Sequence, residues 1–376
     1  MKQYIQFLRN LLSSVNISSL NTTHISTYAV SMKFDVSKSI PMLPGMDEVC
    51  NNLVEYVLWM ISGNSDTSVL SEYNRNKWSN LVPTEDFIRN NLDDVFAEIQ
   101  AYDNLDRADV LEYMLQYKGH IGMMLGYLWR YMPVSDASIS RLRRNNIVAE
   151  IASDKLQAYQ DDFNVLQPRN ADGSPMSVEH FCKMVDAGTL DQLQNLILSI
   201  KNNPDVSVLH VQCFSPEFSP LDGMSPQKSV LMGGAATVPL VTSFSCYIMN
   251  MADNEKRIDM NLSIPNIDVF IPLSTVVAEY SLLLHLLAHV TGSEPGYLSV
   301  NIGRAIADID DFSAINGLIR SHDNNPVVFD TYSKADIVIN KEATDLFKMT
   351  KDDIKLQLLQ CTENKFQTME ATDIIH

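Results

Sequence analysis

Hydrophobic residues recur along this 376-residue chain with two different spacings, one typical of helices and one typical of strands. Helical spacing is present in Asn51–Ser62, in Leu190–Lys201 and at 276–291, and two or three amphipathic helices with acidic faces are predicted within 84–132. Strand-like runs are Ser26–Asp35, Val206–Phe214, Pro239–Met249, Arg257–Ile264 and 298–303. The pattern predicts a mixed α/β (α+β) fold with more strands in its second half.

The segments between these elements indicate insertions rather than a domain boundary. Residues 134–187 are polar and contain Pro168, Gly173 and Pro175, and residues 215–238 form a long stretch rich in proline and glycine. We interpret both as insertions and residues 362–376 as a C-terminal extension. No linker rich in proline, glycine and serine divides the chain, so a single domain over 1–376 is predicted.

The net charge and the cysteine content limit the binding partners and the cellular compartment that we expect for this chain. The net charge of −18 repels phosphate backbones, so no nucleic-acid partner is expected. The five cysteines form no CxxC pair, which is typical of reduced thiols in a cytosol-like compartment. The apolar run at 276–291 is interrupted by Glu279, His285 and His289, and the N-terminus is too polar for a signal peptide. A cytoplasmic protein without a membrane partner is predicted.

Isolated candidates for metal or nucleophilic chemistry are better explained as ordinary structure. His285 and His289 have the i, i+4 spacing of helical metal ligands, but no third ligand is near in sequence. Asp308, Asp310 and Asp311 lack the spacing of a calcium loop. Cys182 has no identifiable base, and Gly233-Gly234 lacks the lysine of a phosphate-binding loop. No metal or cofactor is therefore predicted.

Seven short matches in order resemble the thymidylate synthase family. Ala278–Gly303 reads AEYSLLLHLLAHVTGSEPGYLSVNIG, and the other matches are Met32–Asp35 with Ile40–Leu43, Leu58-Trp59 with Gly63, Trp78, Gly126–Arg130, Asp191–Leu193 with Asn203–Asp205, and Ile354–Leu356. The resemblance implies a large bent mixed sheet flanked by helices. It also implies a dimer in which two such sheets pack together, and folate-dependent methylation of deoxyuridylate.

The residues that carry the family's chemistry are replaced here. The position of the cysteine nucleophile is Leu240, and the following histidine is Val241. Leucine has no nucleophilic atom, and Cys246 is six residues, or about 20 Å, further along a strand. The glutamate that acts as general base aligns with Tyr56, while Glu55 lies one residue away and about 100° around the helix.

The positions that hold the nucleotide are also changed. Two adjacent phosphate-binding arginines correspond to Ser207 and Val208, a third falls at Ser19, and the run near 263–266 contains no arginine. The asparagine that reads the pyrimidine falls at Ser274. The histidine and tyrosine that contact the ribose are Ile306 and Asp308. Each lost charge-assisted hydrogen bond removes about 1.5–3 kcal/mol, so no nucleotide substrate is expected.

These replacements predict a catalytically inactive thymidylate-synthase-like protein, a homodimer that serves as a structural or protein-interaction module with other protein partners. Large viral genomes that carry nucleotide-synthesis genes are a plausible source of such a copy.

The alternative is a divergent folate-dependent pyrimidine-nucleotide methyl- or hydroxymethyltransferase with relocated catalytic groups. A third hypothesis is a regulator that binds a neutral or cationic molecule in the cleft. We expect residues 215–238 to cover the former cleft, with Leu240 buried beneath them.

Overall fold

The computed structural model describes residues 1–13, 23–100, 106–133, 189–202, 206–220, 223–251 and 255–358. Its helices are α1 (Lys2–Ser13), α2 (Asp47–Ser62), α3 (Glu72–Asn76), α4 (Glu85–Asn90), α5 (Leu92–Gln100), α6 (Arg107–Leu115), α7 (Gly126–Arg130), α8 (Gln192–Asn202), α9 (Pro226–Leu231), α10 (Ile271–Thr291), α11 (Phe312–Asn324) and α12 (Pro326–Tyr332). Its strands are β1 (His24–Asp35), β2 (Ile40–Pro41), β3 (Met132–Pro133), β4 (Thr189–Leu190), β5 (Val208–Gln212), β6 (Ser243–Asn250), β7 (Lys256–Asp268), β8 (Glu294–Asp308), β9 (Lys334–Ile339) and β10 (Ile354–Leu358).

The central element is a five-stranded sheet in the order β1-β8-β7-β6-β5. Strands β7 and β8 are parallel, because α10 connects them, and the other neighbouring pairs are antiparallel. Alternate residues of β6, β7 and β8 are buried, as in Phe244, Cys246 and Ile248 of β6. One face of the sheet therefore lies in the hydrophobic core. The mixed sheet flanked by helices confirms the predicted fold class.

Helix α10 lies across the buried face of this sheet and forms the centre of the core. It begins with Pro272 in its first turn and ends at Gly292, whose φ of 64° gives a left-handed cap. By length and composition it resembles a membrane-spanning helix, but 83% of its most apolar window is buried inside the fold. It is therefore the core helix of this domain, and it begins five residues earlier than the sequence pattern predicts.

A second, three-stranded sheet has the order β10-β9-β2. Strand β10 contains the match predicted at Ile354–Leu356, whereas the sequence pattern predicted none of β9, α11 and α12. Helices α4, α5 and α6 surround a small separate apolar cluster, which comprises Ile88, Leu92, Val95, Val110, Met114 and Leu231.

The other face of the five-stranded sheet is not covered by a helix of the described chain, and it is largely polar. Two rows of residues cross it, His210–Ser245–Asn261–Ser299–Lys33 and Gln212–Ser243–Ser263–Asn301–Ser31. The side chain of Asn301 donates to that of Asn261 at 2.6 Å, and His210 Nδ1 lies 2.8 Å from Ser245 Oγ. Exposed apolar side chains concentrate at one end, where Val208 and Tyr247 are paired and Met249 follows. We call this surface the open sheet face.

The predicted insertion 134–187 and the predicted C-terminal extension 362–376 lie outside the described residues. Their boundaries stay predictions, as does the single-domain assignment. The third segment, 215–238, contains a helical turn at Pro216–Phe218 and helix α9, which Ser225 caps by accepting the Lys228 N–H at 3.2 Å.

Candidate functional site

Leu240, which the sequence resemblance aligns with the family's nucleophile, lies at the surface. Leu240 is 43% exposed and precedes β6, whereas its neighbour Val241 is 1% exposed in the core. The backbone beside them is fixed by hydrogen bonds, since Thr242 N–H donates to Ser263 O at 3.0 Å and Cys213 N–H donates to Thr242 O at 2.9 Å. The expectation that residues 215–238 bury Leu240 is therefore wrong.

Residues 215–238 pack elsewhere because two glycines bring their backbone against residues 121–123. Ala236 N–H donates to Ile121 O at 2.9 Å, and Met123 N–H donates to Gly234 O at 3.3 Å. Gly122 has a φ of 75°, and a Cβ at this residue would lie 2.0 Å from Gly234 O. Only glycine satisfies both requirements, so this contact directs the segment away from Leu240.

Tyr56, which the sequence resemblance aligns with the family's general base, is buried. Tyr56 is 5% exposed, and its ring centroid lies 5.6 Å from that of Trp59. The ammonium group of Lys77 lies 4.3 Å from the centroid of the Tyr56 ring, within the range of a cation–π contact. Burial, followed by the nearby Glu279 carboxylate, raises the pKa of the Tyr56 phenol well above its ordinary value, so Tyr56 is not a base at neutral pH.

A carboxylate nevertheless lies beside Tyr56, supplied by α10. Glu279 is 7% exposed, and its Oε1 lies 3.6 Å from Lys77 Nζ. Burial raises the pKa of the Glu279 carboxyl, and the attraction to Lys77 opposes this shift only in part. Sequence reasoning noted Glu279 only as an interruption of an apolar run. A single carboxylate within an apolar run was the one feature of the sequence that indicated a buried charged group here.

Glu55, which lies one residue from the position aligned with the family's general base, has a structural role. Its Oε2 accepts hydrogen bonds from Ser71 N at 3.1 Å, from Ser71 Oγ and from Asn74 Nδ2 at 2.8 Å. Its Oε1 accepts one from Lys351 Nζ at 2.6 Å. Burial acts to raise its pKa, but the hydrogen bonds from Lys351, Ser71 and Asn74 together outweigh burial and lower the pKa to about 2. So acidic a group is a poor proton acceptor at neutral pH.

The remaining aligned positions do not converge on one site. Ser274 is buried on α10 and donates to Met46 Sδ at 3.2 Å. Ile306 lies half-buried on β8, opposite Asp268 of β7 and Ser26 of β1. Asp308 is exposed at the end of β8, and its carboxylate accepts the Asp310 N–H at 3.1 Å.

The positions of the phosphate-binding arginines are remote from Leu240. Ser207 and Val208 are exposed, and Val208 pairs with Tyr247, seven residues or about 23 Å along the strand from Leu240. Ser19 lies outside the described residues. The structure thus brings Tyr56 together with Glu279 and Lys77, and it places Val208 apart from Leu240.

The other candidates from the sequence make structural contacts where the structure describes them. His285 Nε2 lies 2.7 Å from Val36 O, and His289 Nε2 lies 3.0 Å from Ala343 O. Within the described ranges no group of three or more histidine, cysteine, aspartate or glutamate residues is arranged to hold a metal ion. Cys182 lies outside these ranges.

The buried thiols are poor candidates for a relocated nucleophile. Cys213 and Cys246 are 0% exposed, and burial raises the pKa of each to about 12. The attacking species in such chemistry is the thiolate, which is scarce at neutral pH when the pKa is this high.

Comparison with protein families agrees with the architecture and the order of the motifs. The thymidylate synthase family matches residues 2–369, which is nearly the whole chain. The chain therefore belongs to the thymidylate synthase family.

Proposed function

We propose that this chain is a catalytically inactive member of its family and serves as a structural or protein-interaction module. The observation that carries the proposal is the leucine at the position of the nucleophile, with an exposed side chain and no reactive atom. Without a covalent adduct at C6, the C5 carbon of a pyrimidine does not become nucleophilic. The replacements Tyr56, Ser207, Val208 and Ser274 support the same conclusion, because they remove the base, two phosphate-binding arginines and the reader of the pyrimidine edge.

Titration calorimetry with deoxyuridylate and deoxycytidylate tests this function. We expect no binding at micromolar ligand concentration, with an active family member titrated in parallel as the positive control. A second arm repeats the titration on Leu240→Cys, in which a thiol is restored but the phosphate-binding side chains are not. Saturable micromolar binding of either nucleotide to the unmodified protein would contradict the proposal.

The proposed assembly is a homodimer formed through the open sheet face, in the cytoplasm of a virus-infected host cell. Its support is the absence of a covering helix over this face in the described chain, together with the exposed side chains of Val208, Tyr247 and Met249 at one end. The polar rows on the rest of the face can pair with their own copies across a two-fold axis.

Sedimentation velocity tests the assembly. Tyr247→Arg places a charge on the open sheet face and is expected to convert a particle of twice the chain mass into one of a single chain mass. Val338→Arg is the matched control, because Val338 is 64% exposed on β9 of the other sheet. A dimer that is unaffected by Tyr247→Arg, or lost equally in both variants, would contradict an interface on this face.

The buried Glu279 carboxylate favours one alternative function, a folate-dependent pyrimidine-nucleotide methyl- or hydroxymethyltransferase with relocated groups. Its raised pKa and its position beside Tyr56 are features of a general acid or base. Release of tritium from [5-³H]deoxyuridylate or [5-³H]deoxycytidylate in the presence of methylenetetrahydrofolate would establish it. Loss of that release in Glu279→Gln would assign the role to this carboxylate.

A further inference from the structure

Four tyrosines outside the candidate site lie side by side at the surface, and we call them the tyrosine row: Tyr113, Tyr117, Tyr127 and Tyr131. The ring centroids of Tyr113 and Tyr117 lie 5.1 Å apart, and those of Tyr127 and Tyr131 lie 5.2 Å apart. Tyr127 interacts electrostatically with both Tyr117 and Tyr131, so the two pairs are neighbours. The ring of His120 borders the row, with its centroid 6.0 Å from that of Tyr117.

The spacing of the tyrosines along the chain produces the row. Tyr113 lies on α6, and Tyr117 follows four residues later in the next turn. Tyr127 lies on α7, and Tyr131 is the C-cap of that helix four residues later. Side chains at this spacing lie on the same side of a helix. Tyr113 is 41% exposed and the other three are half-buried, and Tyr117 packs against both hydrophobic clusters, so the row is held from its inner side and open to solvent on its outer side.

The outer side of the tyrosine row combines aromatic faces with hydroxyl donors. The hydroxyl oxygens of Tyr113 and Tyr117 lie 3.1 Å apart, so one donates to the other and one proton stays available. The Tyr127 hydroxyl has no hydrogen-bond partner among the described residues. Burial raises the pKa of Tyr113 to about 12 and also raises that of Tyr127. The hydroxyls therefore keep their protons at neutral pH and can donate to a ligand.

Carboxylates border the tyrosine row at two places. Asp109 is exposed on α6, four residues before Tyr113, and Asp66 faces His120 across an isolated β-bridge. Burial lowers the pKa of His120, and the attraction to Asp66 opposes this shift only in part, so His120 adds no positive charge at neutral pH. Lys118, the one lysine between the two tyrosine pairs in the sequence, already forms an ion pair at 3.1 Å. The border of the row is therefore negative and attracts cations.

A proline-rich segment that carries arginine or lysine is complementary to these groups. In the polyproline II conformation the backbone makes no internal hydrogen bonds, and proline has no N–H, so the segment offers carbonyl acceptors and compact apolar rings. Its carbonyls accept from the phenol hydroxyls, its rings pack on the aromatic faces, and its cation lies beside the bordering carboxylates. A phosphorylated peptide or a nucleic acid would instead be repelled by those carboxylates.

We propose that the tyrosine row binds a proline-rich, positively charged segment of a partner protein. The inference rests on the proposed role as a protein-interaction module and names the chemical class of one partner. Because such a segment is largely ordered before it binds, little conformational entropy is lost on binding, and a shallow row of rings is sufficient. The row lies on α6, on α7 and in the turn after α6, so it is distinct from the open sheet face.

Fluorescence anisotropy of the full chain with a fluorescein-labelled peptide of repeated Arg-Pro-Pro units tests the inference, and we expect saturable binding. Two control peptides have the same length. The first has alanine in place of every proline and keeps the charge, and we expect it to bind about tenfold more weakly, because it is not ordered in advance and makes fewer ring contacts. The second has glutamate in place of every arginine, and we expect no binding.

Three variants identify the binding surface. Tyr113→Ala is expected to weaken binding about tenfold, since aromatic anchors carry much of the binding free energy of such interfaces. Tyr113→Phe keeps the ring but lacks the hydroxyl, so a smaller loss is expected, and it provides a second readout if Tyr113→Ala fails to fold. Tyr28→Ala is the matched control, because Tyr28 is 68% exposed on β1, outside the row, and its removal should leave the affinity unchanged.

The measured affinities decide the inference. Absence of saturable binding, or equal affinity for the proline and alanine peptides, would overturn it, the latter because charge alone would then explain the attraction. Unchanged affinity in Tyr113→Ala, or an equal loss in Tyr28→Ala, would also overturn it. The nucleotide titrations and the sedimentation experiment test the proposed function separately, since neither involves the tyrosine row.

Discussion

The carboxylate of Glu279 lies 3.6 Å from the ammonium group of Lys77, and the same ammonium group lies over the ring of Tyr56 at 4.3 Å. The two charges come from segments about 200 residues apart in the chain. They meet beside Tyr56, the residue that the sequence resemblance aligns with the family's general base. Burying the Glu279 charge with only a partly exposed partner lowers the stability of the fold. Substitutions of either residue should therefore change the free energy of unfolding measurably.

Glu279→Gln is expected to raise the free energy of unfolding at neutral pH by about 1 kcal/mol, because a neutral amide removes the desolvated charge. The folded state binds the Glu279 proton more tightly than the unfolded chain does, since burial raises its pKa. Wild-type stability should therefore fall as the pH rises through the folded-state pKa, and the variant should lack this fall. Urea unfolding at several pH values measures both effects, and a less stable variant at neutral pH would contradict the reasoning.

Lys77→Met is expected to destabilise the fold at neutral pH by about 1–2 kcal/mol, since it leaves Glu279 buried without its cation. The loss is smaller than for a fully buried pair because the Lys77 side chain is 30% exposed. The double variant Lys77→Met with Glu279→Gln should recover most of the loss. A double-mutant cycle from urea unfolding checks this, and strictly additive effects would argue against direct coupling.

Glu55→Gln is expected to destabilise the protein by about 2 kcal/mol at neutral pH, because hydrogen bonds to a charged acceptor are replaced by weaker ones or lost. In the wild-type protein the contribution of Glu55 should be complete above pH 4.5 and should decline as the pH falls toward the folded-state pKa of about 2. Acid unfolding followed by circular dichroism should show a shallower transition for the variant. An acid transition identical to that of the wild type would exclude Glu55 as a contributor.

Leu240 and Val241 should respond very differently to the same change. Leu240→Ser is expected to alter the free energy of unfolding by about 0.5 kcal/mol or less, because Leu240 is 43% exposed. Val241→Ser should cost about 2 kcal/mol, since Val241 is 1% exposed and the hydroxyl would be buried beside a small cavity. Thermal unfolding of both variants measures the contrast, and a large loss in Leu240→Ser would show that this residue is covered after all.

Gly122 should be far less tolerant than a glycine of similar backbone conformation. Gly45→Ala supplies the control, because Gly45 has a φ of 88° and open space around it, so its cost is that of the left-handed backbone, about 1–2 kcal/mol. Gly122→Ala should exceed this by about 2 kcal/mol, since its Cβ would lie 2.0 Å from Gly234 O. Comparable losses in the two variants would mean that residues 215–238 move away readily.

Much of the fold follows from local pattern in the sequence. Alternation in Ser26–Asp35 and helical spacing in Asn51–Ser62 correspond to β1 and α2, which begin two and four residues earlier. The region after β8 was missed because β9 depends on pairing with β2 and β10, and such pairing is not encoded in neighbouring residues.

The site was predicted less completely for a related reason. The sequence resemblance singles out Leu240 and Tyr56, but the placement of the Glu279 carboxylate beside Tyr56 depends on how α2, α3 and α10 pack. The burial of Leu240 was mispredicted because the course of residues 215–238 is decided by the contact between Gly122 and Gly234. Contacts of this kind join distant segments, and hydrophobic periodicity carries no information about them.

The glutamine side chain of Gln192 donates to Gln212 O at 2.9 Å and accepts from Gln212 N at 2.9 Å, so one amide imitates a neighbouring strand at the end of β5. The Gln192 amide satisfies the backbone N–H and C=O of Gln212, at the end of β5 closest to the core. The rest of β5, which includes Val208 and His210, lies at an uncovered edge of the sheet. Growth of the sheet by strand addition is thereby blocked at one end of β5, which restricts uncontrolled polymerisation of the chain.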